Sequence, residues 1–162
     1  MKIIICGKSG SGKDFLRKKL QTKGLLYATP YTTRPMRTGE VNGVDYFFAD
    51  EESYLKNRNT IFVEGNFFGW FYGIGKEQWS YYDLFVLPPS MIEKIPSEQK
   101  KICFIIYLDI DRETRRERLF SRNGVKGDKT EEGDSIERRL NADDKDFENF
   151  TNYDLRITNP NF

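Results

Sequence analysis

The sequence predicts an α/β fold of three layers: a central parallel sheet, helices on both of its faces, and one inserted segment. Three observations carry this. Short apolar, β-branched runs alternate with stretches of helical length, the rhythm of βαβ units. The first run, residues 2–6, passes directly into a glycine-rich loop and then into a helical stretch. Between positions 29 and 75 the rhythm breaks into turn residues and aromatics, so that stretch reads as an insertion.

Residues 2–6 form a short β-branched run, expected as a fully buried strand. A helix is expected over 14–23. Inside the insertion, strands are expected at 45–48, 60–64 and 67–72, with a short helix at 51–56. The second half returns to the strand–helix rhythm. Residues 84–87 are a strand, and 89–95 a short helix opened by proline, whose missing N–H costs nothing in the first turn. Residues 102–108 are the most strand-like run. Asp111 then caps an arginine-rich helix over 112–122. The polar, glycine-bearing stretch 123–133 reads as a flexible loop, 135–150 as a helix and 155–158 as a last strand.

A length of 162 residues fits a single domain with one core. The formal net charge is only +1, so the basic excess of a nucleic-acid binder is missing. Histidine is absent, which excludes Ser-His-Asp and Cys-His catalysis. Cys6 and Cys103 lie in apolar runs and are expected as buried free thiols. The apolar run at 3–6 is too short for a signal peptide, and no stretch could span a bilayer. A soluble, cytoplasmic protein is expected, monomeric or homodimeric, with neither nucleic acid nor membrane as partner.

The chemistry begins at Gly7-Lys8-Ser9-Gly10-Ser11-Gly12-Lys13, which fits G-x-x-x-x-G-K between a buried strand and a helix. Glycines let the backbone wrap a phosphate with its N–H groups inward, and the helix adds the positive end of its dipole. Lys13 supplies a mobile charge for the terminal phosphates. This marks the fold as a P-loop NTPase with ATP at Gly7, Ser9, Gly10, Ser11, Gly12 and Lys13. The usual Ser or Thr after the lysine, a Mg²⁺ ligand, is here Asp14. Asp14 either holds Mg²⁺, directly or through water, or caps the helix.

Further along stand Thr32-Thr33-Arg34-Pro35-Met36-Arg37-Thr38-Gly39-Glu40, then Gly43-Val44-Asp45-Tyr46-Phe47-Phe48, Phe62-Val63-Glu64 and Phe71-Tyr72-Gly73. This ordered set resembles the nucleoside-monophosphate-binding region of guanylate kinases, with TTR-x-x-R-x-G-E, G-x-D-Y-x-F, F-x-E and Y-G in that order. The resemblance implies a core at 1–28, 76–122 and 134–162, an acceptor-binding subdomain at 29–75 and a lid at 123–133. It implies that Arg34 and Arg37 clamp the acceptor phosphate, that Tyr46 and Tyr72 donate to it, and that Glu40 orients an arginine. Glu64 would accept from the N–H groups of guanine. The lid pattern matches Arg118-Leu119, Arg122, Ser135-Ile136 and Arg139-Leu140, implying that Arg118, Arg122 and Arg139 contact ATP phosphates. Lys13, Arg34, Arg122 and Arg139 would be the catalytic set, and Asn159 would lie near the ATP adenine.

Arg115, Arg116 and Arg138 are expected to pair with nearby glutamates in solvent. Asp109, at the end of the strongest strand, reads either as part of the helix-opening turn with Asp111, which is preferred, or as a Walker B carboxylate. Pro30 and Ile74 stand where the family places small hydroxyl residues, and the strand at 84–87 runs into Pro88-Pro89 where the family has an acid. These departures imply fewer polar groups around the base. Family members also continue into a C-terminal helix, so less cover on one sheet face or edge is expected here.

The implied activity is transfer of a phosphoryl group from ATP, with Mg²⁺, to GMP or dGMP. The alternatives are a deoxynucleoside-monophosphate kinase of altered base specificity and a non-catalytic binding module of the same shape. Retention of the phosphate loop with Lys13 argues against the module.

Overall fold

The computed structural model describes residues 1–123 and 135–162. The expected lid, 123–133, lies outside them except for Asn123, whose backbone ends a helix. The chain runs β1 (Lys2–Gly7), α1 (Lys13–Gln21), β2 (Tyr31–Thr32), β3 (Phe47–Phe48), α2 (Glu51–Lys56), a 3₁₀ turn (Arg58–Thr60), β4 (Ile61–Phe67) and β5 (Trp70–Gly75). It continues through α3 (Lys76–Tyr81), β6 (Leu84–Val86), α4 (Pro89–Glu93), α5 (Ser97–Lys100), β7 (Cys103–Leu108), α6 (Arg112–Asn123), α7 (Ile136–Asp146) and β8 (Leu155–Ile157).

Among the described residues the strands form two sheets. The first is parallel throughout, in the order β6-β1-β7-β8. Both faces are buried, which is why its central strands read as unbroken apolar runs. Ile4, Cys6, Phe85, Ile105 and Tyr107 point into one core cluster, while Ile5, Leu84, Ile106 and Leu108 point into a second with Leu16 of α1. Successive residues alternate faces, as the pleat requires. Burial pushes the Cys6 thiol up to about 12, leaving it inert. Cys103 is a free thiol as well, but only half-buried.

The second sheet, β3-β2-β5-β4, is mixed and falls within the insertion expected at 29–75. Its β2–β5 seam is stitched by threonine hydroxyls: Thr32 Oγ1 donates to Phe71 O at 3.0 Å, and Phe71 N donates to Thr33 Oγ1 at 2.9 Å. The expected strand at 67–72 is instead a hairpin turn with strand on either side. Phe68 and Gly69 take φ of 56° and 87°, and Asn66 Oδ1 accepts from Gly69 N at 3.2 Å. Two consecutive positive φ values give the mirror-image turn whose twist suits a hairpin. Strand β2 and helices α3 and α5 have no counterpart among the expected elements; α3 is anchored by Gln78, which accepts from Gly75 N at 2.9 Å and donates to Thr29 O at 2.6 Å.

Candidate active site

The loop between β1 and α1 needs its glycines. Gly10 and Gly12 have φ of 76° and 98°, and a Cβ on Gly10 would stand 2.6 Å from Arg115 O of α6. The loop therefore lies hard against α6. Lys13 folds back over it, donating to Gly7 O at 2.7 Å and Lys8 O at 2.9 Å. Burial pulls its ammonium below the ordinary value, and the nearby Asp143 carboxylate opposes that shift. Ser11 Oγ is buried with no hydrogen-bond partner among the described residues.

Asp143 was missed in the sequence. Its Oδ2 accepts from the Ser9 main-chain N–H at 2.6 Å, while Lys8 Nζ donates to Asp144 at 2.9 Å. Both acids sit on α7, and Asp143 follows Arg139 by four residues, so the two share a helix face. That spacing is the signal that could have found it. Arg139 also lines the cleft and lies close enough to Lys13 to depress its pKa.

The arginines of α6 sort differently from expectation. Arg118 lines the cleft beside the phosphate loop and donates to Gly10 O at 3.2 Å, Ser11 O at 3.3 Å and Pro160 O at 2.6 Å, tying the loop to the C-terminal segment. Arg115 is not in solvent but 1% exposed, donating to Ile110 O at 3.0 Å and Asp144 at 2.9 Å. Arg116 pairs with Glu137 at 2.9 Å, as expected of a surface charge. Arg138 lies over the Phe68 ring at 4.5 Å. Arg122 belongs to α6 by its backbone, and its side chain lies outside the described residues. Asp111 caps α6 by accepting from Thr114 N, and Asp109 is held by Tyr107 and Arg156. Asn159 Oδ1 accepts from Asn161 N at 2.9 Å, and it is Pro160, Asn161 and Phe162 that reach the cleft wall.

The second cluster hangs on β2 and β5. Arg34 is 4% exposed; it donates to Glu40 at 2.7 Å and Pro35 O at 2.7 Å, and its guanidinium lies 5.4 Å from the Tyr46 ring centroid. Glu40 also accepts from Arg37 N at 2.8 Å, so one carboxylate fixes both arginine positions. Burial disfavours the Glu40 charge, yet these hydrogen bonds hold its carboxyl below the ordinary value. The Tyr46 and Tyr72 rings meet edge to face at 5.9 Å. Burial pushes Tyr46 up to about 12 and raises Tyr72 too, so both phenols stay protonated donors at neutral pH.

Glu64 stands apart. Tyr54 and Arg58 donate to its carboxylate, at 3.4 Å and 2.8 Å, and it does not line the cleft. The register explains why. Tyr72 pairs with Gly65, Glu64 pairs with Gly73, and directly opposed residues share a face. Tyr72 faces the cleft, so Glu64 faces away from it. The role expected for Glu64 at the base is not supported by this geometry.

Both clusters line one cleft of about 1440 Å³. Ser9 and Lys13 reach it from the phosphate loop and α1, Asp143 from α7, and Arg34, Arg37, Tyr46 and Tyr72 from the inserted segment. Single-ligand pockets run to ~300–1,000 Å³, so this one has room for two nucleotides.

A family model described as guanylate kinase matches residues 1–81. A guanylate kinase of Nitratidesulfovibrio vulgaris is 39% identical over 75 residues, covering 41% of this chain and 36% of that protein. A guanylate kinase of Helicobacter hepaticus is 31% identical over 170 aligned residues, covering 97% of this chain and 81% of that protein. The chain belongs to the guanylate kinase family. Guanylate kinases are phosphotransferases. A crystal structure of guanylate kinase from Anaplasma phagocytophilum superposes with a TM-score of 0.65 at 20% identity, covering 98% of this chain and 76% of that one, which supports the fold.

In this family member the oxygen donors at the phosphate loop suit a hard cation. Asp14 opens α1, half exposed and paired with Arg17 at 3.3 Å, and Asp143 sits at Ser9. Among the described residues no three acids or thiols gather into a metal cage. Mg²⁺ takes one or two carboxylates from protein and fills its other positions with water and substrate phosphate, and Asp14 and Asp143 are the carboxylates that could serve it here.

Proposed function

We propose that this chain is a nucleoside-monophosphate kinase that moves the γ-phosphoryl group of ATP onto GMP or dGMP. One observation carries the reading: a backbone-amide cradle with Lys13 and a guanidinium–phenol cradle line the same cleft. Two anion sites on the walls of one cleft are what in-line transfer between two nucleotides requires.

In this mechanism the N–H groups of residues 9–13 receive the β-phosphate at the start of α1. Asp143 yields Ser9 N–H to the incoming phosphate. Lys13 leaves the Gly7 and Lys8 carbonyls and follows the γ-phosphoryl group as charge spreads over its oxygens. Arg139 adds a second positive charge beside it, and Arg122 is assigned the same task. Arg34 and Arg37, held by Glu40, fix the acceptor phosphate so that its oxygen points at the γ-phosphorus. Tyr46 and Tyr72 each donate an O–H to that phosphate. The attacking oxygen is already anionic, so no side chain needs to take its proton. Mg²⁺, carried by ATP with Asp14 and Asp143 as protein donors, would neutralise charge between the β- and γ-phosphates. The free thiols and the nucleotide substrates support a cytoplasmic role in purine nucleotide metabolism.

The test is ADP release with ATP, Mg²⁺ and GMP or dGMP. Turnover is expected, with a loss of at least ~10²-fold in Lys13→Ala, the scale for removing one transition-state donor. Absence of turnover with every monophosphate would refute the reading.

A further inference from the structure

The acceptor reading above supplies the starting point for an inference about which bases the site takes. A guanine-selective pocket must present an acceptor to the base's ring N–H and amino group, because a site built on hydrogen bonds rejects a base that leaves them unpaired. The family motif places that acceptor at Glu64. Here Glu64 lies on the far face of β4, where Arg58 and Tyr54 occupy its carboxylate. Bringing it into the cleft would take a one-residue slip of β4 against β5. Such a slip would turn every side chain on the strand to the other face.

The position on β4 that does share a face with Tyr72 is Gly65. A Cβ there would stand 2.5 Å from the Phe67 ring and 3.1 Å from Met91 Cγ. The absent side chain leaves room for the Phe67 ring, which packs edge to face on Tyr72 at 5.6 Å. Phe67 and Trp70 line the cleft from the hairpin, and Pro88 and Met91 line it from α4 and its lead-in. Ile74, the next residue on the Tyr72 face, is fully buried in the core and offers no polar atom.

Among the described residues six acids line the cleft, none of them on β4 or β5; Asp14 pairs with Arg17 at 3.3 Å and Glu117 stands on α6. Glu40 holds Arg34 and the Arg37 amide, Asp45 accepts from Val41 N at 2.8 Å, and Asp143 holds Ser9 N. Asp146 lies one turn from Asp143 on α7, at the phosphate-loop end, where the Asp143 charge adds to burial in raising its pKa.

We propose that the acceptor base is held by stacking and shape between Phe67, Trp70, Pro88 and Met91, so that this enzyme accepts monophosphates of several bases, pyrimidines included. Every base has a π-face, and stacking on aromatic walls is tolerant of base identity. Apolar pockets discriminate by only ~10–200-fold, against ~10⁴-fold or more for a polar reader. Phosphate recognition by Arg34, Arg37, Tyr46 and Tyr72 is common to all acceptors.

The experiment measures kcat/KM for GMP, dGMP, AMP, dCMP and dTMP in wild type, Glu64→Gln and Phe67→Ala. It also measures equilibrium binding of GMP and dTMP without ATP. The wild-type values are expected to spread over less than about 10²-fold. Glu64→Gln should leave the GMP to dTMP ratio within about threefold, and Phe67→Ala should raise KM about tenfold for every acceptor alike. A wild-type preference for GMP and dGMP above about 10²-fold overturns the inference while leaving the kinase intact. So does a tenfold fall of the ratio in Glu64→Gln, or a KM rise in Phe67→Ala confined to the guanine nucleotides. Similar affinities for GMP and dTMP without turnover of any monophosphate would support the base inference and remove the kinase reading.

Discussion

The main-chain N–H of Ser9 donates to Asp143 Oδ2 at 2.6 Å, so a carboxylate of α7 sits where the phosphate loop would hold a nucleotide oxygen. Lys8 and Asp144 close a second link between the same loop and helix at 2.9 Å. ATP must therefore displace a charge already in the cradle, and that charge repels phosphate as it leaves. Asp143→Asn keeps the size of the side chain and removes the repulsion. ATP affinity measured calorimetrically in the presence of a chelator should tighten about tenfold, or ~1.4 kcal/mol. With Mg²⁺ present the gain should shrink, because the carboxylate then faces a cation. Unchanged or weaker affinity in chelator would show that Asp143 does not compete with the nucleotide.

Glu40 is the residue on which both acceptor arginines depend. Glu40→Gln leaves Arg34, only 4% exposed, without its counter-charge. The expected cost at pH 7 is about 1–3 kcal/mol of stability, with a larger KM for the acceptor and an unaltered KM for ATP. The pH dependence follows from the lowered carboxyl pKa, since the folded state then binds fewer protons than the unfolded one below the ordinary value of 4.5. The stabilisation is complete above that value and is lost as pH falls through the folded pKa. The stability gap between wild type and variant should therefore close under acid, as denaturant midpoints taken from pH 7 down to pH 3 would reveal. A gap that stays constant or widens on acidification would contradict this.

Buried Arg115 couples the phosphate loop to α7. It contacts Asp144, lies 3.9 Å from Asp143, and underlies Gly10 through its own backbone. Arg115→Ala empties a fully buried site while Asp144 keeps Lys8 and Arg112, and a large-to-small change of this kind typically costs ~2–5 kcal/mol. For a domain of this size that is a fall in Tm of about 10 °C. Arg116→Ala, one residue on and 44% exposed in its side chain, should cost under about 1 kcal/mol. Equal melting temperatures for the two variants would show that burial of Arg115 carries no energetic weight.

What could be read from the chain divides along a physical line. The parallel sheet was legible because buried strands must be apolar on both faces, and Ile3, Ile4, Ile5 and Cys6 say so without context. The phosphate loop was legible because Gly10 and Gly12 need positive φ. The two-residue strand β2 was not, since its pairing rests on hydroxyls of Thr32 and Thr33 reaching Phe71 of β5, 39 and 38 residues away. The face of Glu64 was not legible either. It depends on where the Phe68-Gly69 turn falls, and one residue of register reverses it. Arg115 was misjudged because a helical arginine's partners lie on other elements, and composition cannot say which side of the helix is covered.

Gly10 offers the last test, because two separate costs meet there. Its φ of 76° is unfavourable for any residue with a Cβ, and that Cβ would also stand 2.6 Å from Arg115 O. Gly24 has a similar φ of 93° with nothing within 4 Å of a built Cβ. Gly24→Ala therefore isolates the backbone term, about 1–2 kcal/mol, and should bind ATP as wild type does. Gly10→Ala carries the same term plus displacement of the loop from α6, which moves the Ser9 and Ser11 amides. It should be less stable than Gly24→Ala in denaturant melts and bind ATP at least tenfold more weakly. The clash is with backbone, so no rotamer change can relieve it. If the two variants matched in stability and in ATP affinity, the loop would not be packed on α6 as tightly as this contact requires.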